Sequence, residues 1–168
     1  WSPGLIEASG VVIRGVGDLP VEPVRGQILS LEGRLPRTRE IVWGGGVYFV
    51  PKRDGSWIVG ATEERVGFDR RVTAAGVAWL LERARSVFPG LGAATFGQAW
   101  AGLRPVSGDG LPWIGSASDW PGLFLGTGHG RNGILLSAIT AERIRDEILG
   151  KRPLDPSDPF RVGRGAQA

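Results

Sequence analysis

The sequence contains no cysteine and a single histidine, His129, among its 168 residues. Disulfides, thiol nucleophiles and thiolate metal sites are excluded together, and one imidazole cannot build a multi-histidine cluster, so no metal is assigned. No apolar run approaches the roughly 18 to 20 residues that span a bilayer. The first residues lack the basic-then-apolar order of a secretory signal. A soluble, cytoplasmic protein with no membrane partner is the expectation. Lysine is scarce: of 20 basic residues only Lys52 and Lys151 are lysine, and the net charge is +3. Arginines scattered in this way usually form a solvated face, so no nucleic-acid partner is expected. The chain does not open on methionine, and Trp1-Ser2-Pro3-Gly4 reads as mid-protein sequence, the expectation being a fragment of a longer protein.

A hydrophobic fraction of 42% beside 22% charged residues fits one well-cored globular domain, or one domain with a tail. Residues Val21 to Leu31 alternate as a strand does. Val47 to Val50 and Trp57 to Ala61 flank Asp54-Gly55, a hairpin turn signal, which predicts an antiparallel sheet. Thr73 is a candidate N-cap for a helix whose apolar face is Val77, Leu80, Leu81, Ala84, Val87 and Phe88, stopped by Pro89-Gly90. A strand over Thr95 to Leu103 is predicted next, then a loop through Pro105, Ser107-Gly108-Asp109-Gly110 and Pro112. Trp113-Ile114 and Leu123 to Thr127 read as short strands, Ile134 to Leu149 as a helix, and the tail from about 151 as extended. The fold class is α+β, with a mainly antiparallel sheet and packed helices. The expected division is residues 1–104, sheet and helix, and residues 105–168, a C-terminal strand–helix segment with its tail.

Gly128-x-Gly130-x-x-Gly133 matches the dinucleotide fingerprint, and it follows an apolar run before a helix. A Rossmann unit needs a further parallel strand ending near an acidic residue, and here the chain runs into KRPLDPSDPF instead. What remains is a backbone able to approach a ligand closely and a helix start with its positive dipole end.

Four motifs occur in order: VEPVRGQ at Val21 to Gln27, VYFVPKRDGSWIVGATEE at Val47 to Glu64, WAGLRPVSGDGLPWIG at Trp100 to Gly115, and GHGRNGILL at Gly128 to Leu136. In order and spacing they resemble the flavin-dependent amino acid oxidases of the D-amino-acid oxidase superfamily, most of all the glycine oxidases of thiamine biosynthesis. The resemblance implies a substrate domain followed by a C-terminal return to an FAD-binding domain whose Rossmann segment precedes this chain. It implies FAD as cofactor, a small amino acid as substrate, and that missing N-terminal segment as partner.

Residue by residue, the resemblance places Arg104 against the substrate carboxylate, where a guanidinium fork makes two parallel charge-assisted hydrogen bonds. Tyr48 would add a hydroxyl, Arg131 would stand beside flavin and substrate, and Glu63 would line a pocket of varied composition. Gly128, His129, Gly130, Arg131, Asn132, Gly133, Ile134 and Leu135 would face the isoalloxazine ring. On residue type alone, Arg104 could be a structural ion-pair partner, Tyr48 a core or rim aromatic, and His129 a backbone-positioning residue. No residue is assigned as a catalytic acid or base. Gly44-Gly45-Gly46 stands where the family often has larger or polar residues, which with Glu63 leaves the choice of substrate open. The activity implied is oxidative deamination of glycine, sarcosine or a D-amino acid with release of hydrogen peroxide. Its alternatives are a D-amino acid dehydrogenase with another electron acceptor, a sarcosine-oxidase-like demethylase, and a non-catalytic binding domain. In that last reading an apolar face left uncovered leaves room for a homo-oligomer.

Overall fold

The structure is a computed structural model that describes residues 21–33, 35–36, 38–117, 121–151 and 155–164. The opening WSPGLIEASG lies outside the described residues. The chain divides into two units, Val24–Leu103 and Arg104–Ala168 together with Trp1–Pro23. Both boundaries, Pro23/Val24 and Leu103/Arg104, fall inside a strand.

Strands β1 (Val21–Glu32), β2 (Val42–Gly44), β3 (Val47–Pro51), β4 (Trp57–Gly60) and β5 (Thr95–Ser107) form one sheet in the order β2-β3-β4-β1-β5, most of it in the first unit. The β1/β4, β2/β3 and β3/β4 pairs are antiparallel. Asp54-Gly55 turns β3 into β4 as expected, with Gly55 at φ 88° and the Asp54 carboxylate accepting from the Ser56 N–H at 2.9 Å. Strand β2 was not foreseen. Gly45 and Gly46, at φ 61° and 81°, make the two-residue turn that pairs Gly44 with Val47, a geometry that needs positive φ at both central positions.

Helix α1 (Ala74–Val87) starts at Thr73, whose hydroxyl accepts from the Gly76 N–H at 3.1 Å. It lays Leu80 and Ala84 on Leu29, Leu31, Val47, Phe49, Trp57 and Val59, all buried. Phe49, Trp57 and Phe88 meet edge to face, with centroids 5.0 to 5.8 Å apart. Arg25 departs from the expected solvated face. Only 4% exposed, it donates to Glu64 at 2.5 Å and to the Arg71 carbonyl at 3.0 Å, and it pairs with Asp69 at 3.2 Å. Gln27, fully buried, joins Glu64 to the Thr73 cap through bonds of 2.7, 3.1 and 2.8 Å.

In the second unit β6 (Trp113–Ser116) and β7 (Phe124–Thr127) form an antiparallel pair. Helix α2 (Ser137–Ile148) is fastened to β6 by Glu147, which accepts from the Ser116 N–H at 2.9 Å. Gly126 admits Thr140 and Ile144 of α2, whose carbons lie 3.1 and 3.3 Å from where a Cβ would stand.

Three expectations are corrected here. The strand predicted to stop at Leu103 continues to Ser107 through Pro105. Proline is tolerated there because β5 is the sheet's edge, where its missing N–H breaks no ladder. The last helix begins at Ser137 and not Ile134, because Gly130–Asn132 first winds a tighter 3-10 turn. The tail is not extended over residues 155–164. Asp155 and Asp158 accept from the Ser157 and Phe160 N–H groups at 2.8 and 2.9 Å, folding it into turns, and the Phe160 carbonyl takes the Ile114 N–H at 2.7 Å.

Candidate functional site

Arg104 is half-buried near the end of β5. Side chains two apart on a strand share a face, so Arg104 projects on the same side as Val106. Val106 is bridged to His129, and its Cγ2 lies 3.7 Å from where a Cβ on Gly130 would stand. Arg104 and the glycine turn therefore share one side of β5.

The turn itself is sterically determined. Gly128, buried and at φ 78°, would bring a Cβ within 3.1 Å of Ser107 Cβ and 3.2 Å of Trp113 Cδ1. Replacement by alanine is expected to cost about 2 kcal/mol, from left-handed strain and overpacking combined. A urea denaturation midpoint equal to wild type would contradict that. Beyond Gly128 the Asn132 N–H donates to the His129 carbonyl at 3.0 Å and the Leu136 N–H to the Asn132 carbonyl at 2.9 Å. Helix α2 then begins with no side-chain cap and no acidic residue in its first turn. Its positive end is left available to an electron-rich group.

Arg131, Asn132 and Gly133 are exposed, and Ile134 and Leu135 stand 93% and 79% exposed. An open backbone, two apolar side chains and a helix start suit the edge of a flat, partly apolar ring that carries carbonyl oxygens or gains negative charge there.

His129 acts as a fastener. Its Nε2 lies 2.9 Å from Thr140 Oγ1, joining the turn to α2. Burial holds its pKa below the usual value, which favours the neutral ring in the folded protein. A folded pKa below the unfolded one gives stability that is present above about pH 6.5 and lost as pH falls through the folded value. Thermal melts should therefore drop on acidification below pH 6.5 in wild type, and drop less in His129→Gln. Parallel curves for the two proteins would contradict this assignment.

Tyr48 and Glu63 belong to the sheet unit. Tyr48 on β3 is the cross-strand partner of both Gly60 and Trp43. Its ring lies over Gly60, where a Cβ would stand 2.6 Å from the Tyr48 Cζ and Oη. The Trp43 ring adjoins it at 5.2 Å. Gly60 is the residue that sequence reasoning passed over; its signal was a glycine closing an apolar strand opposite the only tyrosine. Glu63 is exposed after β4, and it is the neighbouring Glu64 that turns inward. Burial alone would raise the Glu64 carboxyl, but hydrogen bonds from Arg25, Thr62 and Gln27 outweigh it and hold the pKa down.

An α+β sheet unit followed by a glycine-built strand–turn–helix defines a class of protein. The chain matches the family described as FAD dependent oxidoreductase over residues 1–147, and it belongs to that family. Among its relatives is the glycine oxidase of Pseudomonas putida, 37% identical over 153 residues, which are 90% of this chain and 42% of that protein. The bifunctional protein ThiO/ThiG of Nostoc sp. is 41% identical over 159 residues, 91% of this chain and 23% of its own length. The crystal structure of glycine oxidase from Geobacillus kaustophilus superposes with a TM-score of 0.79 at 38% identity, covering 88% of this chain and 40% of that one. The chain thus spans less than half the length of the relatives it resembles. Among the described residues no helix is long and apolar enough to cross a membrane, and no group of His, Cys, Asp and Glu could hold a metal ion.

Proposed function

We propose that the intact protein is an FAD-dependent oxidase of a small amino acid, such as glycine, sarcosine or a D-amino acid. This chain supplies its substrate-binding sheet and the turn that meets the flavin ring. The observation that carries the reading is the placement of Arg104 on the same side of β5 as the glycine turn. The matched family and the glycine oxidases among its relatives support it.

In this reading the Arg104 guanidinium grips the substrate carboxylate in a bidentate pair. Arg131 borders the substrate on the flavin side. Anchoring at the carboxylate leaves the amine and α-carbon to face the ring. Residues 128–135 bring backbone N–H groups, and the start of α2 its positive end, to the ring edge, where they favour added negative charge. Bound FAD would accept the hydride from the α-carbon and pass the electrons to oxygen, giving hydrogen peroxide. Hydrolysis of the resulting imine releases the 2-oxo acid with ammonia, or with the amine for an N-alkyl substrate. The residues of this chain position the reactants, and positioning is where its catalytic contribution lies.

The test is peroxide formation by the intact, FAD-loaded protein with glycine, sarcosine and D-alanine. Oxygen-dependent peroxide together with ammonia or methylamine is the expected result. Turnover without peroxide would reassign the protein to the dehydrogenases, and no turnover of any amino acid would overturn the reading.

A further inference from the structure

We infer that Arg164, in the C-terminal tail, is a positioning residue for the flavin-facing turn, acting through Trp113 and the loop between β5 and β6. The inference rests on the proposed role of the turn at Gly128, and it adds a residue that neither the motifs nor the family resemblance assigns. The Arg164 guanidinium grips Asp109 with two parallel bonds, Nε to Oδ2 and Nη2 to Oδ1, both 2.8 Å. It also donates to the carbonyls of Pro112 at 2.8 Å and Leu111 at 2.5 Å. Its Cζ lies 3.7 Å from the centroid of the Trp113 ring. One side chain, itself only 12% exposed, thus holds the loop from Ser107 to Trp113 at its acid, at two carbonyls and at its closing aromatic ring.

Both ends of that loop are the walls of Gly128. Ser107 Cβ and Trp113 Cδ1 stand 3.1 and 3.2 Å from the Cβ position, and the Ser107 hydroxyl lies 3.4 Å from the Gly128 carbonyl. Among the described residues the buried Trp113 Nε1 meets no hydrogen-bond partner. The indole is held on one side by the stacked Arg164 cation and packs against Gly128. Arginine suits this task because its planar fork stacks on the ring while donating in plane to carboxylate and carbonyls. A lysine ammonium offers one charged point and no plane. Release of Arg164 should therefore loosen Trp113, then Gly128, then the segment that begins there.

The experiment uses the intact protein with Arg164→Ala, Arg164→Lys and a control, Leu80→Ala, whose cavity lies in the core of the sheet unit. Two readouts are taken: the FAD dissociation constant from flavin fluorescence, and amide hydrogen exchange over residues 128–136 without added FAD. The expected result is FAD binding weakened about tenfold in Arg164→Ala, the scale of one desolvated cation–π contact. Faster exchange confined to the loop and turn should accompany it, with little rescue by lysine. Leu80→Ala should lower the melting temperature and leave both readouts unchanged. Unchanged FAD binding and exchange in Arg164→Ala, or changes reproduced by Leu80→Ala, would overturn the inference. A wild-type protein that binds no FAD at all would count against the proposed function, and the exchange readout would still decide the role of Arg164.

Discussion

Arg104→Met in the intact enzyme is expected to raise the Michaelis constant for the amino acid by roughly 30-fold to several thousand-fold, equivalent to about 2 to 5 kcal/mol. The magnitude is that of a desolvated carboxylate deprived of its partner. The turnover number should fall less, because in the proposed role the guanidinium meets the carboxylate in ground and transition states alike, and uniform binding appears mainly in KM. Arg104→Lys should recover only part of the loss, since an ammonium restores the charge without the fork. Steady-state kinetics with the best substrate of the intact protein decide it. A lysine variant with an unchanged KM would remove Arg104 from the carboxylate site.

The second large effect concerns stability. Arg25→Met should lower the urea denaturation midpoint by the equivalent of about 3 kcal/mol, the lower end for breaking a buried ion pair, since Glu64 retains some solvent contact. The variant leaves Glu64 bonded to Gln27 and Thr62 and takes from Asp69 its 3.2 Å partner. The Asp69 carboxyl is held well below the usual carboxylate range, first by hydrogen bonds from Arg71 and also by the charge of Arg25. The Glu64 carboxyl is held down as well. Depressed folded pKa values give stability that is present above about pH 4 and lost as pH falls through the folded values. The gap between wild type and Arg25→Met should therefore be full at pH 7 and narrow below pH 4. A gap that persists unchanged into acid would mean that packing of the arginine stem, and not its charge, carries the effect.

Much of the sheet unit was legible because its signals are local. Asp54-Gly55 announces a hairpin, Thr73 announces a helix start, and Leu80 and Ala84 fall on the buried face by spacing alone. The buried Arg25–Gln27–Glu64 network was illegible, because its partners lie 37 and 39 residues apart and nothing in the sequence marks which carboxylate turns inward. Glu63 and Glu64 illustrate the point: adjacent, chemically near-identical, and on opposite sides of the loop. For the candidate site, the glycine turn and Arg104 were legible as motifs. The roles of Ser107, Trp113 and Arg164 were not, since a Pro-, Gly- and Arg-rich tail carries no periodicity, and its anchoring depends on a guanidinium finding a loop 55 residues away.

The measurement that bears most directly on the central claim is anaerobic mixing of the intact, FAD-loaded protein with glycine, sarcosine or D-alanine, followed by visible absorption. Removal of hydride from the amino acid should bleach the oxidised flavin band with at least one of them, whatever acceptor the enzyme uses afterwards. Admission of air should restore the band and yield peroxide. A flavin band that stays unbleached with every amino acid tested would contradict the assignment of this chain to an amino acid oxidase.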